Sequence, residues 1–217
     1  LKLYKEASAV LTGRASDTEN RKVAAVTEKI FKTLREKYPE AWLKEVLLTL
    51  LPRYYSVTPF NKVLLDLDAL SRLHTDPIQV ETRFLENQGV TEYNLYTYDW
   101  ITPGIFFNMV GVLTAQGLQI LAAQVFTHPN GMVMDTFHVI DPDNQNELPQ
   151  NEIPVDRLKV IKKDVERIFT GEGSVEQLLK KSRRFHPKKE PLVQLQKMRV
   201  EVDNISSKTF TTCQLIC

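Results

Sequence analysis

Few residues of this chain have the types and spacing that chemistry requires. Asp66-Leu67-Asp68 sets two carboxylates two positions apart, like the acid pair that holds a metal ion for nucleotidyl transfer. The pair falls inside the apolar helical period Phe60, Leu64, Leu67, Leu70, with no Gly-Ser entry and no strand, so a solvated helix face is expected. His74, His128, His138 and His186, with Cys213 and Cys217, have no zinc spacing. The two cysteines lie four apart in a strand pattern, about 13 Å along one face, too far for a disulfide. No His-Asp dipeptide occurs and no nucleophile has a visible partner, so no catalytic residue, no metal site and no cofactor are expected in this chain. His128-Pro129 reads as a turn and His138 as a surface or half-buried strand residue. Pro103-Gly104 before an apolar helix remains: glycine lets backbone approach a ligand, and the N–H groups of a helix start can hold a carboxylate. The plainer alternative is a tight strand-to-helix turn. Trp100 and Ile101 lead into it and either cover a pocket, join an interface or pack on the sheet edge. Asp135, in mid-strand, is read first as structural and second as a ligand contact.

The 217 residues carry 28 Lys+Arg against 27 Asp+Glu, a formal charge of +1, with 42% hydrophobic residues. That balance excludes a disordered tail and gives no excess cation for nucleic acid. No apolar run is long enough to span a membrane. Free, unpaired cysteines make a reducing cytoplasm the default. No signal peptide is visible, and the absence of an initial Met suggests a piece of something longer. The run from Lys180 to Lys189 holds six Lys/Arg in ten residues and reads as a solvated linker, with an anionic partner as the alternative.

The elements that must position these residues follow from period. Val23, Val26, Ile30 and Leu34 mark a helix entered through Asp17-Thr18-Glu19-Asn20 and stopped by Pro39. Trp42 to Leu50 and Phe60 to Leu70 mark two more, separated by Pro52 and entered at Ser56-Val57-Thr58-Pro59. From Pro77 the period changes. Ile78 to Phe84 and Thr91 to Tyr98 alternate as strands about the turn at Glu86–Gly89. A helix from Ile105 to Leu113, capped at Gly117, follows the loop 99–104. Leu118–Thr127 and Met132–Ile140 flank Asn130-Gly131, a strong hairpin signal. Leu158, Ile161, Val165 and Ile168 mark a second helix, with Pro154 near its start. The order is βαββα with one extra strand in front. It predicts an α+β two-layer sandwich, an antiparallel sheet with one face buried. Met198–Asp203 and Lys208–Cys217 repeat the opening strand pair at an offset of about 118–120, which points to a tandem repeat.

The middle stretch resembles an ACT domain, most like those of the bacterial bifunctional uridylyltransferase/uridylyl-removing enzymes that modify the PII nitrogen-signalling protein. Thr91-Glu92, Pro103-Gly104-Ile105-Phe106, Gly117 to Leu121, Val125-Phe126-Thr127, Gly131 to Phe137 and Asp141-Pro142-Asp143 carry the likeness. Leu51 to Tyr55 resembles the connection from that family's phosphohydrolase domain, and Val200 to Asn204 the start of its second ACT domain. The likeness covers roughly residues 50–217.

The resemblance implies a ferredoxin-like ACT domain, a βαββαβ-type antiparallel sheet with helices on one face, preceded by a helical connector. Residues 1–75 would be the connector, the tail of a preceding catalytic region. Residues 76–182 would be the ACT domain, and 183–217 the basic linker and first strands of a second copy. It implies a cytoplasmic, amino-acid-sensing regulatory region in nitrogen regulation, with glutamine as the effector, opposing uridylyl transfer and favouring removal. The implied ligand site is Trp100, Ile101, Thr102, Pro103, Gly104, Ile105 and Asp135. The implied partners are other ACT copies in the same chain or a homodimer, and the PII protein through a full-length enzyme; nucleic acid and membrane are not among them. The chain departs from the family at the loop, where Ile101-Thr102 replace Asp-Arg, and at Ala122 and Gln124, where Asp and Arg are frequent. These departures favour a second reading, a non-catalytic ACT module for protein–protein assembly with a degenerate ligand site.

Overall fold

Period-two alternation between Gln79 and Ile140 folds into one antiparallel sheet, and the apolar helical periods on either side of it supply the covering layers. The computed structural model describes residues 14–144, 152–182, 199–203 and 212–216. The chain divides into two compact units, Leu1–Phe185 and His186–Cys217.

In the first unit four helices come first: α1 (Arg14–Leu34), α2 (Glu40–Thr49), α3 (Pro52–Val57) and α4 (Phe60–Arg72). α1 begins ahead of Asp17–Asn20, because no Pro or Gly interrupts Arg14 to Asn20 and extending a formed helix is cheap. Pro52 not only ends α2 but opens α3 at its first turn, where its missing N–H costs nothing. The strands are β1 (Gln79–Leu85), β2 (Val90–Tyr98), β3 (Gln119–Thr127) and β4 (Met132–Ile140), in the order β1-β2-β4-β3. Helices α5 (Ile105–Ala115), α6 (Val155–Phe169) and α7 (Val175–Lys181) complete it.

The helix α5 carries the chain from β2 to β3 while β4 slots between them, with antiparallel neighbours throughout. This order is compatible with a ferredoxin-like fold. The edge where a βαββαβ chain would place its last strand is taken by β1, paired Val80↔Leu95 through Leu85↔Val90. The extra leading strand thus supplies what the βαββα pattern lacks.

Each strand sends alternate side chains to opposite faces. Tyr93, Leu95, Val133, Phe137 and Val139 face α5, α6 and α7, and pack on Met109, Leu113, Ile161 and Val165. Side chains of this size each contribute about 1.5–3 kcal/mol on burial. Tyr96, Phe126, Met132 and Met134 point the other way and are buried against Leu43, Tyr54, Val63 and Leu67 of the leading helices. Helices therefore lie on both faces, not on one. The reason is that the apolar stripes of α1 to α4 need a partner, and the apolar end of the second sheet face is within reach.

Helix α7 departs from the expectation that Lys180 opens a linker: Lys180 and Lys181 are its last turn, where cations suit the helix dipole. Ser174 caps α7, its side chain accepting the Gln177 N–H. Ser174 to Gln177 is a capping-box spacing that was readable from the chain. Residues 183–189 of the basic run lie outside the described residues.

In the second unit β5 (Arg199–Asp203) pairs antiparallel with β6 (Thr212–Ile216). Val200 faces Leu215 and Glu201 faces Gln214, each 120 residues on from Val80 facing Leu95 and Glu81 facing Asn94. The hairpin repeats the register of β1 and β2. Cys213 lies opposite Val202, and Cys217 is outside the described residues.

Candidate functional site

The loop site is built by three elements. Tyr98 ends β2, and Trp100 stacks on its ring at 4.4 Å. The Asp99 N–H donates to the Gly131 carbonyl at 2.8 Å, closing the loop onto the β3–β4 turn. A Cβ at Gly131 would sit 2.4 Å from Trp100, so only glycine lets the loop lie there. Asn108 Nδ2 donates to the Pro103 carbonyl at 3.0 Å and holds the loop against the helix it precedes. Gly104 takes φ +69° and starts α5 with no side-chain cap, so the first N–H groups of α5 have no side-chain acceptor.

Thr102, Gly104, Ile105 and Asp135 converge on one shallow cavity of about 280 Å³, together with Asp99 and Phe106. Asp135 is 1% exposed, and its Oδ1 has no hydrogen-bond partner. Burial pushes its carboxyl up to about 7, against a hydrogen bond to backbone at Phe126. A buried carboxyl with one oxygen unpaired, lining the same cavity as an uncapped helix start, is chemically open: it can donate when protonated or receive a cationic group when charged. Trp100 and Ile101 do not line this cavity; Trp100 is 64% exposed and Ile101 packs on the interior. Pro103 does not line it either; its carbonyl accepts from Asn108.

Residues that sequence reasoning set aside form the larger cavity, about 350 Å³, on the opposite sheet face. Ala122 and Gln124 line it, so those two positions face away from the loop site. The register explains its polarity. Arg83, Glu92, His138 and Ala122 form one cross-strand row, Glu81, Asn94, Thr136 and Gln124 the next, and Gln79, Tyr96, Met134 and Phe126 the third. The leading helices pack on the third row, while the whole first row and Thr136 and Gln124 of the second line the cavity. Glu92 Oε1 accepts from Asn94 Nδ2 at 3.0 Å and from Arg83 Nη2 at 3.2 Å, while Oε2 has only His138 Nε2 at 3.4 Å. Burial pushes the Glu92 carboxyl up, but Asn94, Lys62, Arg83 and His138 together hold it below its ordinary value. The signal missed in the sequence is the even-numbered polar set Glu92 and Asn94 in β2 and Thr136 and His138 in β4.

Asp66 forms the floor. It is 1% exposed, not solvated as its helical position suggested. Tyr54 Oη and Tyr96 Oη each donate to it at 2.6 Å, and Lys62 pairs with it. Asp68, the other member of the acid pair, takes Lys37 and Tyr38 at 2.5 and 2.7 Å, and its carboxyl falls to about 2. The two carboxylates serve different contacts, and no cluster of metal-ligating side chains occurs among the described residues. His128 is structural: its Nδ1 accepts the Leu51 N–H at 3.2 Å, and burial pushes its ring down to about 4.

No family model matches the chain. It is 27% identical over 139 residues to the bifunctional uridylyltransferase/uridylyl-removing enzyme of Azospirillum brasilense, covering 64% of this chain and 14% of that protein. Against the enzyme of the same name from Gluconobacter oxydans it is 35% identical over 68 residues, 31% of this chain and 7% of the relative. The chain is similar to a segment of these enzymes. It spans only a small part of their length. No helix among the described residues is long and apolar enough to cross a membrane.

Proposed function

We propose that this chain is an effector-sensing regulatory region of a uridylyltransferase/uridylyl-removing type of protein in nitrogen regulation, built on an ACT-like domain. The sensed molecule is glutamine, and the reaction belongs to residues outside this chain. Asp135 carries the assignment: a carboxyl buried with one oxygen unpaired, beneath the uncapped start of α5, in a chain similar to those enzymes. Thr102, Gly104 and Ile105 would contact the ligand directly. Trp100, Ile101 and Pro103 would set the loop. Binding shifts a conformational equilibrium only if one arrangement of the surrounding domains holds the ligand better than another. The setting is cytoplasmic, and the PII protein would be met by the full-length enzyme.

Calorimetric titration of L-glutamine into the 217-residue chain tests this. A glutamine-binding component that is lost in Gly104→Val and weakened in Asp135→Asn is the expected result. No heat up to about 10 mM, or binding untouched by both changes, rejects it.

A second reading rests on a separate observation. Edge strand β3 exposes Leu121 and Val125, and Phe106, Phe107 and Trp100 are exposed as well. An apolar edge of this kind suits assembly with another ACT copy. Sedimentation of the chain that shows a dimer, with no glutamine heat, favours it.

A further inference from the structure

The larger cavity on the second sheet face is not part of the loop site, and its residues are arranged for a ligand of defined chemistry. Its wall holds Arg83 and Glu92 side by side on one cross-strand row, with Lys62 and Asp66 behind them from α4. The two cations and two carboxylates balance, so a ligand of net charge would bring an uncompensated charge into a partly dry site. A zwitterion would not.

The hydrogen-bond inventory points the same way. Glu92 is 6% exposed, and its Oε2 has one long contact, to His138 at 3.4 Å. It is held in place through Oε1 by Asn94, whose own Oδ1 accepts from Thr136 at 2.8 Å. Arg83 spends one Nη on Glu92 at 3.2 Å and is 41% exposed, which leaves the rest of a five-donor fork for a carboxylate. The side-chain amides of Asn61, Gln88 and Gln124 line the same space and make no hydrogen bond among the described residues. Each brings a donor and an acceptor. A volume of about 350 Å³ suits a small metabolite.

We propose that this cavity is a second binding site, for a small zwitterion of the α-amino acid class, with its carboxylate on Arg83, its ammonium group on Glu92 Oε2 and its side chain among the free amides. The site goes beyond the loop assignment, because the two cavities lie on opposite faces of the sheet. Its walls come from α3, α4 and the sheet together, so an occupant ties the leading helices to the sheet.

The test titrates three probes into the 217-residue chain: L-glutamine, glutaramate, which lacks the ammonium group, and 4-aminobutanamide, which lacks the carboxylate. L-Glutamine binds at this site, and each truncated probe binds at least about tenfold more weakly. Arg83→Ala, at a half-exposed position, and Glu92→Gln each remove this site, while Gly104→Val leaves it intact; far-UV circular dichroism confirms that each variant is folded. Glutamine binding lost in Gly104→Val and unchanged in Arg83→Ala overturns the second site and leaves the loop assignment standing. Binding lost in Arg83→Ala and unchanged in Gly104→Val supports the second site and rejects the loop. Equal binding of all three probes overturns the zwitterion, and no heat up to about 10 mM overturns both sites.

Discussion

Asp135 shows what burying a single carboxyl does to stability. Its folded carboxyl is raised to about 7, above its unfolded value. The neutral form is therefore the one the fold favours. Its contribution to stability is complete below about pH 4 and is lost as pH rises through about 7. Asp135→Asn should leave stability at pH 4 nearly unchanged and raise it at pH 8 by an amount on the order of 3 kcal/mol. Urea unfolding at the two pH values reads the difference, and an equal gain at both would show that burial of the charge is not the cause. Gly131 is the second single residue with a sharp consequence. With φ +76° and Trp100 against its Cα, it has no room for a side chain. Gly131→Ala should cost about 1–3 kcal/mol and displace Trp100. In a Trp42→Phe background the shift in Trp100 emission reports that displacement, and an unchanged spectrum would refute the packing.

At the scale of elements, the junction of α4 with the sheet depends on one ion and two hydroxyls. Asp66 of α4 receives Tyr96 of β2, Tyr54 of α3 and Lys62 of its own helix. Removing the carboxylate leaves Lys62 unpaired in a largely buried position, which typically costs about 3–5 kcal/mol. Removing one donor to this buried charge costs about 1.5–3 kcal/mol. Asp66→Ala should therefore destabilise the chain more than Tyr96→Phe, as measured by denaturant midpoints. Equal losses would place the ion pair outside the folding energetics. The helix itself was legible from Phe60, Leu64, Leu67 and Leu70. The burial of Asp66 was not, because its partners come from other elements: Tyr54 lies in α3 and Tyr96 thirty residues on in β2. The same holds for Glu92. Strand β2 was readable from its alternation, but the partners of Glu92 belong to β1 and β4, so the polar rows exist only once the register is set.

At the scale of the molecule, both cores belong to the first unit. A chain ended after Phe185 should keep the melting temperature of that unit to within about 2 °C by circular dichroism. A larger drop would mean that the hairpin β5–β6 supports the first core. The hairpin β5–β6 has the register of β1–β2 at an offset of 120 residues.

Apart from the short helices α3 and α7, the order of helices and strands, the hairpin at Asn130-Gly131 and the approach of Gly104 to the head of α5 were determined by local pattern alone, since period, turn chemistry and capping act over a few residues. The sharing of the sheet by two helical layers, the place of β1 at its edge and the cavity around Glu92 were decided only by tertiary structure. Those features come from contacts between residues tens of positions apart, which no local periodicity encodes.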